Sequence, residues 1–259
     1  MSPFPLEVAN AKANGGTMLN KQPDGSLLAA GNNPTPGKYT VVATTPVTGI
    51  TAIRLEALPD PSLPANGPGR APNGNFVLNE FRLTAAPKGE PMKATAALFS
   101  KAVASFSQES YGVALAIDGN AGTGWAVAPQ FGKAHVALFH LQEPLAFPDG
   151  ARLTFTLDQQ FPGKDHNLGR FRLAVTTAPN PVLTDSLPPQ VVQALAVPPE
   201  KRSHEQQAAL LNYYRSQDGE LVRLSRAVAQ SPRPGDQRLI GAQDLAWALL
   251  NSPAFLFNH

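Results

Sequence analysis

The chain has 259 residues, is 42% hydrophobic and only 15% charged, and carries 21 Lys and Arg against 19 Asp and Glu. The balance persists from residue 186 onward, with seven bases and six acids, so no phosphate-binding stripe exists and nucleic acid is not an expected partner. Cysteine is absent, which excludes disulfides, thiolate metal sites, covalently attached c-type haem and a cysteine nucleophile; no apolar run reaches the roughly 18 residues of a membrane span.

In chain order, Tyr39–Thr44 is rich in β-branched and aromatic residues, as strands are. Ile50–Leu58 and Phe76–Leu83 alternate apolar and polar side chains. Ala104–Ser107, His135–Leu141, Arg152–Leu157 and Leu168–Thr176 are further candidate strands. Alternation of this kind places one face on a core and the other in water. Asp24-Gly25, Asn66-Gly67, Asn73-Gly74, Asp118-Gly119 and Asp149-Gly150 are turn signals between the runs. No helical pattern precedes residue 188, so a parallel α/β fold is not expected. The reading is a mainly β, jelly-roll sandwich over residues 1–180. The Pro/Gly-rich stretches Pro59–Asn75 and Gly31–Gly37 read as long loops, either functional or plain surface connections.

Past the linker Ala178-Pro179-Asn180-Pro181, residues 181–259 read as a helical extension. Leu210 with Ala208, Leu211 and Tyr214 forms one stripe. Leu221, Leu224, Ala227 and Val228 form a second, and Leu245–Leu250 a third. Each stripe is a helix face needing a partner surface, on the sandwich or on a domain outside this sequence. No internal repeat is visible.

Catalytic signatures are missing. His204-Glu205 is followed by Gln206-Gln207, so the zinc-protease pattern fails, and no nucleophile elbow, P-loop or dinucleotide fingerprint occurs. His135 and His140 are five apart on one candidate strand and so on opposite faces. The most informative stretch is Ala114–Trp125, where Asp118, Asn120 and Thr123 bring carboxylate, carbonyl and hydroxyl oxygens close around an Asp-Gly turn. Such a turn either holds a hard cation such as Ca²⁺, which takes about six to eight oxygens, or is closed by its own hydrogen bonds.

Ala116-Ile117-Asp118-Gly119-Asn120 followed by Thr123-Gly124-Trp125 resembles a signature of galactose-binding-like sandwiches, the discoidin or coagulation-factor type C group. The resemblance implies an eight-stranded jelly roll, used in many members as a carbohydrate-binding module with a structural calcium. Leu78-Asn79-Glu80-Phe81-Arg82-Leu83 is similar to the segment whose glutamate closes the calcium loop. Carried over, Asp118, Asn120, Thr123 and Glu80 become calcium ligands. In the group the Asp-Gly loop comes first; here Glu80 does, as though the halves were permuted.

A second resemblance covers most of the chain. It rests on Asp60–Pro64, Gly67–Ala71, Asn73–Leu78, Asp118–Asn120, Thr123–Ala126, His166–Leu173 and, most specifically, Asp244–His259. These are similar to a segment of large planctomycete surface proteins that carry an upstream c-type cytochrome domain. That likeness implies an exported chain, periplasmic or at the cell surface, of which this sequence is a C-terminal piece with no haem in the fragment and no signal peptide visible in it.

A glycan site needs an aromatic platform for apolar C–H faces and donors for hydroxyls. Trp125, Tyr111, Phe131, His166 and Arg70 are the candidates, with Trp125 equally suited to the core and Arg70 equally suited to pinning its own loop. Arg170 and Arg172, flanking Phe171, form with Lys164-Asp165-His166 a second candidate site. The expected function is a non-catalytic polysaccharide-binding module of a larger exported protein, stabilised by calcium. The alternative is a structural domain that docks other domains of the parent protein and binds no sugar; an exposed apolar patch around Leu245, Trp247 and Leu250 would favour it. A hydrolase, the third possibility, needs a cleft with clustered acids or a triad, which the low charge content disfavours.

Overall fold

The computed structural model describes residues 4–183, 187–217, 223–224 and 241–245. The chain divides into two compact units, Met1–Ser186 and Leu187–His259.

The first unit is a sandwich of two antiparallel sheets, mainly β as the patterning implies. Its strands are β1 (Phe4–Pro5), β2 (Glu7–Ala13), β3 (Thr17–Lys21), β4 (Leu27–Gly31), β5 (Gly37–Thr45), β6 (Ile50–Ala57), β7 (Glu80–Pro87), β8 (Thr95–Ala97), β9 (Phe99–Ala104), β10 (His135–Leu145), β11 (Ala151–Gln159) and β12 (Arg170–Thr176). One sheet runs β3-β4-β12-β6-β10-β9, with β1 also on β12; the other runs β2-β5-β11-β7-β8. The chain passes from one sheet to the other at β1/β2, β2/β3, β4/β5, β5/β6, β6/β7, β8/β9, β10/β11 and β11/β12. This repeated crossing is the jelly-roll pattern.

Period-two alternation is why these strands form a closed core. On β11, Leu153, Phe155 and Leu157 point inward; on β7, Phe81 and Leu83; on β12, Phe171, Leu173 and Val175. Phe81 is the hub: it stacks on Phe99 at 5.6 Å and Phe155 at 5.9 Å and tilts against Phe139 at 4.5 Å. Aromatic pairs at these separations add roughly 0.5–1.5 kcal/mol each to the area they bury.

Outward residues of β6 and β12 carry an ion-pair chain instead. Arg54 and Arg172 both hold Glu56, at 2.8 and 2.5 Å. Arg170 donates to Asp24 at 2.9 Å, Asp60 at 3.0 Å and the Ser26 hydroxyl at 3.0 Å. At Asp24 the bonds from Ser26, with Arg170, outweigh burial and hold the carboxyl below its ordinary value. At Asp60 burial pushes the carboxyl up, but the Ser62 bonds and Arg170 together outweigh it and the net direction is again downward.

Three sequence expectations need correction. Phe76–Leu78 is not strand: it is a buried crossing segment joined to Trp125 by an isolated bridge, and β7 starts at Glu80. The strand placed at Ala104–Ser107 is β9, lying just before it. Polar β2, β3 and the Ala-rich β4 were not anticipated, because an edge strand with Asn, Lys and Ala shows little alternation.

The Pro/Gly-rich stretch 59–75 is more than a surface connection: Leu63, Gly67–Gly69, Ala71, Gly74 and Asn75 are buried, while Pro61, Ser62, Pro64–Asn66, Pro72 and Asn73 stay exposed. It folds inward and bonds to three other segments: Arg70 N–H to Asn167 O at 2.8 Å, Gly169 N–H to Pro68 O at 2.8 Å, and Gly132 N–H to Gly67 O at 2.7 Å. Gly69 is required there, since a Cβ would stand 1.9 Å from the Asn75 carbonyl oxygen.

In the second unit, α1 (Pro189–Leu195) and α2 (His204–Gln217) are helices, and residues 223–224 and 241–245 are helical as well. Arg202 donates to the carbonyls of Ala194 and Val197 at 3.0 and 2.9 Å, closing the turn between them. Leu211 and Tyr214 of the expected α2 stripe are 48% and 69% exposed. Of the other two stripes, Leu221, Ala227, Val228, Trp247 and Leu250 lie outside the described residues, while Leu224 and Leu245 are exposed. Among the described residues no helix is long and apolar enough to cross a membrane.

Candidate functional site

Two features meet at one buried asparagine: an oxygen-lined loop and an aromatic ledge. The loop follows a short 3-10 turn, Val113–Ala116, and is closed within a few residues, as an Asp-Gly turn with Gly119 at φ 79° requires. Asn120 N–H donates to Asp118 Oδ1 at 2.8 Å, and Gly122 N–H to Asn120 Oδ1 at 3.0 Å. The Thr123 hydroxyl is the centre. Asp118 Oδ2 and Oδ1 lie 2.8 and 3.0 Å from it, the Asn120 carbonyl oxygen 2.8 Å and the Leu115 carbonyl oxygen 3.4 Å. One hydroxyl proton cannot serve four oxygens.

Glu80, first residue of β7, supplies a second carboxyl. It is 4% exposed and its Oε1 has no hydrogen-bond partner. Burial pushes its pKa up; Arg82 opposes this, the Asp118 carboxylate reinforces it, and the Gly119 N–H lowers it again. Arg82, 3.9 Å from Glu80 Oε2 and shared with Asp158, is the cation paired with these two facing carboxyls, and it leaves Glu80 Oε1 buried without a hydrogen-bond partner. Among the described residues no cluster of three or more His, Cys, Asp or Glu suits a metal. The oxygens gathered here are carboxylate, hydroxyl and carbonyl, donor types that suit a hard cation and not zinc. The residues present fit the group: Asp118, Glu80, Thr123 Oγ1 and the Asn120 and Leu115 carbonyls would hold it, with the charge balance as its contribution. Asn120 takes part through its main chain, because its side chain is spent on Gly122.

The ledge is built from three separate segments. Tyr111 lies in the turn after β9, Phe161 just beyond β11, and His166 in the connection to β12. Phe161 sits edge-on between the others, 6.1 Å from Tyr111 and 4.8 Å from His166, at 80° and 62°. All three are half-buried. The His166 main-chain oxygen accepts from Val77 N–H at 2.9 Å. Its Nδ1 lies 2.8 Å from the Lys164 carbonyl oxygen. A carbonyl only accepts, so Nδ1 carries the proton and Nε2 of the neutral ring is the acceptor nitrogen. Such a ledge offers ring faces and edges to C–H groups, with a phenol and an imidazole nitrogen for hydroxyls.

Buried asparagines, which sequence reading missed, hold these loops. Asn79, 1% exposed, donates through Nδ2 to the Thr123 and Ala121 carbonyls at 2.7 and 3.0 Å; its Oδ1 accepts from Gln160 and Phe161 N–H at 2.7 and 3.1 Å. Asn75 accepts from Val127 N–H at 3.1 Å and donates to Gln108 at 3.1 Å. Asn167 donates to Asn33 and Pro34, both at 2.8 Å. A clue was present in the sequence: asparagines beside strongly apolar residues, as in Leu78-Asn79-Glu80-Phe81, where a polar side chain stays only if it is bonded.

The remaining candidates separate from this site. Trp125 is fully buried, edge-on to Phe76 at 5.1 Å, with its indole N–H on the Phe106 carbonyl at 3.0 Å. It is core and presents no ring to a ligand. Arg70 spends its fork on the Asn32 and Gly31 carbonyls at 2.7 and 2.6 Å, so it pins its own neighbourhood. Arg170 belongs to the ion-pair chain on the outer sheet face, and nothing joins it to His166 in one site. His135 binds the Gln130 carbonyl at 2.7 Å, and burial lowers its pKa, as it does for His140.

No protein-family model matches the chain. No curated protein matches it. Among solved structures, the chain is similar to the structure of the CBM32-1, CBM32-2 and M60 catalytic domains of Clostridium perfringens ZmpB, with 14% identity and a TM-score of 0.31. The likeness covers 65% of this chain and 14% of that one.

Proposed function

We propose that the sandwich is a non-catalytic glycan-binding module, with Tyr111, Phe161 and His166 as its sugar platform and calcium held by Asp118, Glu80, Thr123 and the Asn120 carbonyl. The ledge carries the reading. It is aromatic, half-buried, built on loops at a sandwich end and anchored by a fully bonded asparagine, so little order has to be imposed when a sugar stacks on it. The calcium assignment draws its support from the crowded oxygens around Thr123 and the orphaned Glu80 oxygen. The reading includes an exported parent chain, as the sequence resemblance implies, and assigns no reaction to this unit.

Affinity electrophoresis of the full chain in gels containing neutral, sulfated and uronic-acid polysaccharides tests the platform. At least one polymer should retard the protein, and Phe161→Ala and Tyr111→Ala should each weaken that binding about tenfold or more, the scale of an aromatic hot spot. Retardation by none of the polymers, or undiminished retardation of both variants, overturns the assignment.

A second reading concerns the helical unit alone. Leu211 and Tyr214 stand exposed on α2 and Leu245 beyond it, apolar surface suited to docking another domain of the parent protein.

A further inference from the structure

We infer that Asn79 is a positioning residue that couples the oxygen-lined loop to the aromatic ledge, so that cation binding at the loop sets the placement of Phe161. The inference rests on the calcium part of the reading above and names how that site is linked to sugar binding.

The geometry is specific. Each polar atom of the Asn79 side chain serves a different segment. Its amide N–H groups hold the carbonyls of Ala121 and Thr123, the residues whose turn presents the Thr123 hydroxyl. Its oxygen holds the N–H groups of Gln160 and Phe161, which set where the ledge leaves β11. It is next in sequence to Glu80, whose carboxyl faces Asp118. No other side chain described here bonds both segments. With a single side chain between them, a shift of the 121–123 carbonyls tilts the amide plane, and the opposite end of that plane moves Phe161.

Close packing keeps the link stiff. Asn79 itself is 1% exposed. Gly124, just past the loop, leaves room only for hydrogen: a Cβ there would meet the Leu78 oxygen at 2.8 Å and the Asn79 Cα at 3.0 Å. On the ledge side, a Cβ on Gly163 would meet the Phe161 ring at 2.3 Å, so the 161–166 loop is folded directly against that ring. Displacement at either end therefore passes through Asn79 and is not absorbed by slack.

Titrating the isotopically labelled full chain with calcium chloride alone, followed by amide resonances, gives a readout that needs no sugar. The Gln160 and Phe161 amides, which carry no metal ligand, should shift in step with Asp118–Thr123. In Asn79→Ala the loop resonances should still respond and the Gln160 and Phe161 shifts should vanish. Where a retarding polysaccharide is in hand, calcium should raise its affinity about fivefold or more in the native chain, with the reciprocal effect on calcium affinity, and by nothing in Asn79→Ala. If Asn79→Ala fails to fold, the native titration decides by itself. Calcium shifts confined to residues 115–123 and Glu80, or no calcium response at all, overturn the inference. Absence of any polysaccharide ligand overturns the glycan reading and leaves the coupling supported by the resonances.

Discussion

Calcium at about a hundred times its dissociation constant is expected to stabilise the sandwich by roughly 2.7 kcal/mol, a rise of about 5–10 °C in the thermal midpoint for a unit of this size. A chelator should reverse the rise, and Glu80→Gln should abolish most of it. The physical source is the crowding of acceptors around Thr123: without a metal ion, two carboxyls face one another with only the shared Arg82, 3.9 Å from Glu80, to offset them, and Glu80 Oε1 is buried without a hydrogen-bond partner. The pH dependence follows from the direction of the Glu80 shift. Its folded pKa is raised above the ordinary 4.5, so the folded state binds its proton more tightly than the unfolded state does. Metal-free protein therefore loses stability as pH rises from about 4.5 through the raised value, and the full penalty persists above it. Glu80→Gln, neutral throughout, should flatten that limb. The calcium response runs the other way and grows with pH over the same window, because the metal needs both carboxyls ionised. Below the ordinary 3.8 of an aspartate, stability should fall for a different reason. Asp24 and Asp60 have lowered folded pKa values, and their contribution disappears as pH drops through them. Thermal melts from pH 3 to 8, with and without calcium, separate the two limbs. An unchanged midpoint on adding calcium, or an equal rise in Glu80→Gln, would sink the metal assignment.

Trp125→Ala is expected to cost roughly 3–5 kcal/mol, a midpoint lower by about 6–20 °C, with glycan affinity of the folded protein unchanged. Three losses combine: the largest fully buried side chain, the edge-on contact with Phe76, and the only hydrogen bond from the indole, which leaves the Phe106 carbonyl to find another donor. Trp125→Phe keeps an aromatic ring against Phe76 and should recover part of the loss. Denaturant unfolding beside affinity electrophoresis separates the roles. A variant of native stability that no longer binds sugar would place Trp125 on the platform and contradict its burial.

The contrast between Trp125 and Phe161 shows what residue type leaves open. Both are aromatic residues in loop-like sequence within two residues of a glycine, and only three-dimensional neighbours distinguish them. Trp125 is closed over by the 76–78 crossing segment, which pairs with it across about fifty residues of sequence. Phe161 meets Tyr111 and His166, which come from other turns. Arg70 makes the same point. A Gly-Pro-Gly-Arg loop is ordinarily solvated, yet here the chain turns inward and the guanidinium finds the Gly31 and Asn32 carbonyls, nearly forty residues earlier.

By itself the sequence determined the features that depend on near neighbours. Alternation over five to nine residues decides which face of β5, β6, β7, β11 and β12 is buried, because successive side chains of a strand point oppositely whatever lies opposite. The six residues from Asp118 to Thr123 likewise contain most of the oxygens that converge, since a tight turn brings them together without help. Only the tertiary structure decided the rest: which aromatic is core and which is ledge, that half of the proline-rich stretch folds inward, that Glu80 faces Asp118, and that Asn79 joins loop to ledge. Each of those depends on pairing between segments distant in sequence, where long-range burial and hydrogen-bond satisfaction outweigh the weak preferences of single residues.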